Sequence, residues 1–194
     1  IPGNHDEAML EYHGVSFGPL SATALGRETY QRQVEPLLPG FTSIPSFYCY
    51  RCSFGKTYPG CGFDCAHALE DAIQREGAGT VAAFIAEPVQ GSAGMVVPPP
   101  EYWPLARQIC SKYNLLLIAD EVMTGFGRTG KMFAVQHWDV TPDIMSMAKG
   151  ITSGYLPFGA VAVSDRVHDG LKALGRPLPH LFTYSGHPVC CAAA

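Results

Sequence analysis

Apolar positions set the reading frame of this chain. From Asp64 to Glu76, Leu69, Ala72 and Ile73 recur at helical spacing, with Asp64 as a candidate N-cap and Gly77 as a stop. The run TVAAFIA, Thr80 to Ala86, is short, apolar and bounded by Gly79 and Pro88, which predicts a buried strand. Behind Pro98-Pro99-Pro100, Leu105, Ile109 and Tyr113 share one face of a helix expected from Tyr102 to Tyr113, which Asn114 can end. Leu115 to Ala119 reads as a second buried strand. Strand, helix and strand within about 40 residues make a βαβ unit, so these two strands should run parallel with a right-handed crossover. FGAVAVS, Phe158 to Ser164, supplies a third strand, and Ser164 can cap a helix running to Leu174 with Gly175 as its stop. The expected architecture is α/β.

Composition narrows the functional classes. At 194 residues with 47% hydrophobic and 15% charged residues, the chain suits one well-buried globular domain. A net charge of −4 offers no basic footprint for nucleic acid or anionic lipid. No apolar run reaches the roughly 18–20 residues of a membrane span, and the first residues lack the pattern of a signal peptide, so the expected location is cytoplasmic. Seven cysteines, two of them adjacent at Cys190-Cys191, fit reduced thiols better than a disulfide framework. The aromatic-rich stretch from Pro36 to Gly62 reads as ordered loop, and no internal repeat or low-complexity tract is present.

In an open parallel sheet, ligands bind beyond the carboxyl ends of the strands. Two acids follow the predicted strands there: Glu87 after TVAAFIA and Asp120 after LLLIA. Successive residues of an extended chain face opposite ways, so Asp120 and Glu121 should have different jobs. Such acids also serve simply as caps or loop hydrogen-bonders. Gly125 to Gly130 matches G-x-G-x-x-G, but five residues separate it from the strand and no helix opens at once, which disfavours a dinucleotide site. A P-loop at Gly55-Lys56-Thr57 fails because its first glycine position is Tyr50. Lys149 stands in IMSMAKGITSGYLPFGA with no close charged neighbour in sequence; such a lysine is ordinarily a solvated one, yet apolar surroundings would suit it to Schiff-base formation. Gly150 and Gly154 beside it would let a bulky cofactor approach the backbone. Cys49, Cys52, Cys61 and Cys65 have the number of ligands of a structural zinc site, but their spacing is unusual for one, and buried free thiols are the commoner reading.

Four stretches in order, AAFIAEPVQGSAGMVVPP, LLLIADEVMTGFGRTGKMFA, TPDIMSMAKGITSGYLPFGAVAVS and FTYSGHPVCCAAA, closely resemble the class III (omega-type) aminotransferases, pyridoxal-phosphate (PLP) enzymes of fold type I. The resemblance runs from about Tyr12 to the last residue. It implies a mostly parallel central sheet flanked by helices, the cofactor Schiff base on Lys149, and a carboxylate, Asp120, paired with the pyridine nitrogen. It also implies that Val122 packs on one face of the ring, that Tyr12 stacks on the other with His13 beside it, and that Thr183 reaches the cofactor phosphate of a neighbouring subunit in a homodimer. Glu87 matches a glutamate near the substrate. Met123 stands where the ornithine and 4-aminobutyrate branches carry a glutamine, which weakens those substrate assignments.

By the same resemblance, residues 1–194 are the cofactor-binding large domain, incomplete at both ends and without the small C-terminal domain. The implied reaction moves an amino group from an amino acid or amine to an oxo acid or aldehyde, with no nucleic acid, membrane or metal involved. Racemase, decarboxylase or phospho-lyase chemistry on the same scaffold is the near alternative, and a zinc-binding module built on the four clustered cysteines is the distant one.

Overall fold

The computed structural model describes residues 38–175 and 183–194. The chain divides into two units, Ile1–Pro45 and Ser46–Ala194. Of the first, residues 38–45 are described and carry no helix or strand. The second holds α1 (Asp64–Glu76), β1 (Ala83–Ala86), α2 (Tyr102–Lys112), β2 (Leu116–Asp120), β3 (Ile144–Met147), β4 (Ala160–Val163), α3 (Asp165–Ala173) and α4 (Pro188–Ala193). The strands form one sheet in the order β1-β2-β3-β4. β1, β2 and β3 are parallel and β4 is antiparallel to β3, so the predicted βαβ unit is present as β1-α2-β2.

The core forms where α1 and α2 meet and where α2 lies on β2. Ile73 and Leu69 of α1 and Trp103, Ala106 and Ile109 of α2 are buried together with Leu117 and Ala119 of β2. Trp103, fully buried, satisfies its indole by donating to the Pro88 carbonyl at 3.3 Å. The Phe47 ring meets Tyr102 edge-on at 4.6 Å. No helix among the described residues is long and apolar enough to cross a membrane.

Several boundaries differ from those predicted, each for a local reason. Phe63, in the left-handed region at φ 56°, occupies the N-cap of α1 in place of Asp64, whose carboxylate is taken up by an ion pair with Lys56. β1 begins at Ala83, not Thr80, because the Thr80 hydroxyl is captured by the end of α1, facing the carbonyls of Glu76 and Gly77 at 2.8 and 2.9 Å. Leu115 likewise stays tied to α2, donating its N–H to Cys110 at 2.8 Å, and β2 starts one residue later. Ser164 does occupy the N-cap of α3, but its hydroxyl makes no cap bond and is buried without a partner. β3 and α4 were not expected.

Candidate active site

The alternation along β2 decides which side chains can meet. Leu117 and Ala119 are buried on one face, while Leu116, Ile118 and Asp120 lie on the more open one. β1 pairs Ile85 with Ile118 and Ala86 with Ala119, so the next residue, Glu87, falls beside Asp120 on the same open face. β3 pairs Ser146 with Asp120 and leads three residues later to Lys149. Three neighbouring parallel strands therefore deliver two carboxyls and one amine to the same carboxyl edge.

Electrostatics report the same convergence. Burial pushes the Glu87 carboxyl above the ordinary carboxylate range; the Gly91 N–H, donating at 2.9 Å, opposes this, Asp120 adds to it and Lys149 opposes it. Asp120 holds one oxygen on the Val122 N–H at 3.0 Å, which fixes the carboxylate at the strand end. Lys149 opens a 3-10 turn, Lys149–Thr152, with φ 47°, a left-handed conformation unusual for a side chain with a Cβ. It is exposed, the ordinary condition of a lysine and not the apolar burial weighed beside it, and it stands two residues beyond the end of β3 at Met147. Val122 is half-buried. Met123 packs against Gly91, where an added Cβ would stand 2.2 Å from the methionine sulfur and 3.4 Å from the Glu87 carboxylate.

Gly150 has a different use from the one expected. The space a side chain would take is already filled by the turn after Asp120, with Phe126 Cβ at 3.2 Å and the Gly125 carbonyl at 3.4 Å. The G-x-G-x-x-G segment thus packs against the lysine turn and opens no helix, in keeping with the rejection of a dinucleotide site. Thr183 is exposed in the turn that precedes α4. Tyr12 and His13 lie outside the described residues.

Two further acids brace the sheet, Glu121 at this carboxyl edge and Asp143 at the opposite, amino end of β3. Glu121, fully buried, accepts from the Thr124 hydroxyl and from the Val135 N–H at 2.9 Å, so it anchors the loop between β2 and β3. Asp143, at the foot of β3, accepts from Arg107 at 2.7 Å and from the Leu117 N–H at 2.8 Å. The opposite facing of Asp120 and Glu121 was readable from alternation, and Thr124 at i+3 was an available signal for the local bond. Nothing in the spacing announced Val135 or Arg107.

All seven cysteines are reduced, and no group of three or more His, Cys, Asp or Glu among the described residues is arranged to hold a metal. Cys49, Cys52, Cys61 and Cys65 do line one pocket, but not as a tetrahedral ligand set.

The sequence matches the family described as Aminotransferase class-III over residues 8–194. It is 44% identical over 183 residues to a putrescine–pyruvate aminotransferase of Pseudomonas aeruginosa, covering 94% of this chain and 40% of that protein. Among solved structures it is similar to an (S)-enantioselective omega-transaminase from Thermomicrobium roseum, at 48% identity and TM-score 0.85, over 92% of this chain and 39% of that one. An amine transaminase from an uncultivated Pseudomonas species, in its PLP-bound form, matches at 43% identity and TM-score 0.86, over 94% and 41%. The chain therefore spans about 40% of the length of the curated relatives it matches. The neighbours are PLP-dependent transaminases of fold type I, and the mixed, helix-flanked sheet seen here is that fold. By sequence and by structure, the chain belongs to the class III aminotransferases.

Proposed function

We propose that this chain is the cofactor-binding part of an aminotransferase that moves an amino group from an amino acid or amine to an oxo acid or aldehyde. The observation that carries the reading is the convergence of Glu87, Asp120 and Lys149 at the carboxyl edge of three adjacent parallel strands. The family's cofactor, PLP, fits this donor set: a primary amine that solvent and substrate can reach, and a carboxylate pinned in register beside it. When bound, PLP supplies an aldehyde that condenses with amines and a pyridinium ring that draws electrons from the carbon losing its proton.

The protein side of the chemistry follows from position. Lys149 Nζ takes the proton from the substrate carbon and returns it at the acceptor carbon, a transfer that requires an amine free to swing, as an exposed lysine on a turn is. Asp120, its Oδ1 occupied by Val122 N–H, presents its other oxygen to keep the ring nitrogen charged. By the family resemblance Val122 would cover one ring face and Tyr12, with His13, the other. Glu87, its carboxyl raised chiefly by burial, sits near the substrate and is suited to holding a proton closer to neutral pH than a free glutamate. Thr183 reaching a partner's phosphate group and a cytoplasmic homodimer belong to the same proposal, the location supported by the odd count of seven cysteines, two of them adjacent, which does not suit a disulfide framework. Transaminase relatives favour this reading over racemase, decarboxylase or phospho-lyase chemistry.

The test is direct. Incubation of the purified protein with PLP should produce an absorbance band near the visible, and borohydride reduction should leave the label on the peptide containing Lys149. Asp120→Asn should weaken PLP binding by about tenfold or more, the scale of one charge-assisted hydrogen bond. A label distributed over other lysines with Lys149 unmodified overturns the assignment.

A further inference from the structure

Between the strand that ends in Asp120 and the turn that opens with Lys149, one side chain makes the join. The ladder that sets Ser146 beside Asp120 stops short of Lys149, because β3 ends at Met147. What the lysine turn leans on is Phe126. A Cβ added to Gly150 would stand 3.2 Å from Phe126 Cβ, 3.4 Å from the Gly125 carbonyl oxygen and 3.7 Å from Phe126 Cδ2. Gly150 lies outside the left-handed region, so an alanine could adopt its backbone, and the glycine is needed there for space. Lys149 at φ 47° on one side of this contact and Phe126 at φ 58° on the other are both left-handed without being glycine, a conformation that persists where the surroundings impose it.

Phe126 has its own support. Its ring meets Phe133 edge-on at 5.6 Å. The Gly125 N–H donates to the Glu121 carbonyl at 2.9 Å, and a Cβ on Gly125 would stand 2.9 Å from that same oxygen and 3.4 Å from the Phe133 ring. The Glu121 N–H donates to the Ser146 carbonyl of β3 at 3.0 Å, while its carboxylate joins Thr124 to Val135. Phe126 is therefore tied to β2 and β3 near their carboxyl ends, where Asp120 stands.

We propose, on the reading that Lys149 is the amine that condenses with PLP, that Phe126 is a positioning residue: through Gly150 it holds the lysine turn, and with it the amine, in one place relative to Asp120. On an unsupported turn the amine would spread over several positions and meet a ring held by Asp120 less often. Phe126 touches neither reacting group and acts only through the backbone of the turn.

The test follows PLP attachment. Purified protein is mixed with PLP at increasing concentrations, samples are quenched with borohydride at intervals, and label on the Lys149 peptide is measured by mass spectrometry. Phe126→Gly suits the φ 58° backbone, so the loop keeps its course while the side chain against Gly150 is lost. It should lower the limiting attachment rate by roughly tenfold or more. The half-saturating PLP concentration should stay near the wild-type value, because Asp120 keeps its bond from the Val122 N–H. A merely structural role would lower the amount of protein labelled and leave the rate constant alone. Phe126→Leu, which keeps the Cβ and an apolar end, should restore most of the rate. Gly150→Ala pushes on the same contact from the other side; it should slow attachment less in the Phe126→Gly protein, where the Cβ it would meet at 3.2 Å is gone, than in the wild type. A wild-type protein without label on Lys149 overturns both this proposal and the assignment of the lysine. With Lys149 labelled, a Phe126→Gly rate equal to wild type, no recovery with leucine, or a Gly150→Ala effect of the same size in both backgrounds overturns this proposal alone.

Discussion

Removing the Asp143 carboxylate should unfasten the sheet where the candidate site is built. Asp143 is 8% exposed and stands at the junction of four elements. Its Oδ2 accepts from Arg107 of α2 at 2.7 Å and from the Leu117 N–H of β2 at 2.8 Å, and its backbone exchanges with the Leu117 carbonyl and the Ser164 N–H, both at 2.8 Å. Arg166 of α3 approaches Oδ1 at 3.6 Å, but its side chain is 47% exposed, so solvent screening leaves that pair little weight. The two short bonds to a charged acceptor are worth about 1.5–3 kcal/mol each, and Asp143→Ala also strands the Arg107 charge, which is only 22% exposed. The expected loss is about 3–5 kcal/mol. With a urea dependence of about 2 kcal/mol per molar, that lowers the midpoint by roughly 1.5–2.5 M. Asp143→Asn, which keeps one acceptor, should lose about half as much. Burial by itself raises the Asp143 carboxyl, yet the Arg107 hydrogen bond, the Leu117 N–H and the two arginine charges outweigh it and hold the group below the ordinary range. A folded value below the unfolded one, about 3.9, means the stabilisation is present above that pH and fades as pH falls through the folded value. The wild-type advantage over Asp143→Asn in urea should therefore be largest near pH 6–7 and shrink toward pH 2–3. An Asp143→Ala loss under about 1 kcal/mol, or an advantage that does not change with pH, refutes the argument.

Glu121→Ala should cost about 2–4 kcal/mol in chemical unfolding, because the buried Val135 N–H loses its acceptor and the Thr124 hydroxyl its partner. Gly91→Ala forces its methyl against the Met123 sulfur and should cost about 1–3 kcal/mol; adding Met123→Ala should recover part of that loss, and a double-mutant cycle with no coupling argues against the contact. Glu87 runs opposite in sign to Asp143. Its folded value is raised, chiefly by burial, so its contribution is full below the unfolded glutamate value and is lost as pH rises through the folded one. Glu87→Gln should accordingly unfold at higher urea than wild type at pH 7 and show no such gain at pH 4.

What the sequence disclosed divides along a physical line between local and distant causes. Leu115 to Ala119 announced a strand because five apolar residues in a row suit a buried strand, although Leu116 and Ile118 turn out only half-buried on the open face, and the same run announced Asp120 because its apolar pattern breaks there. Glu87 was legible for the same reason one strand away, and the shared register that sets it beside Asp120 follows once β1 and β2 are parallel. Ile144–Met147, IMSM, carried no comparable signal: four residues with two methionines and a serine have weak strand preference, and pairing with β2 on one side and β4 on the other makes them a strand. Tertiary pairing thus positions the segment that leads to Lys149, which explains why its apolar context alone left that lysine between a solvated residue and a Schiff-base candidate, the role being implied by the family resemblance. Asp143 was invisible as a brace for a related reason, since its partners stand 36 residues before it and 26 residues before it in the chain, joined only when α2 folds onto β2. The cysteines show the converse. Their spacing left free thiols and a zinc site as readings; the four line one pocket, with Cys61 and Cys65 buried but Cys49 exposed, and the geometry a metal needs, which depends on the angles between segments, was beyond what spacing encodes.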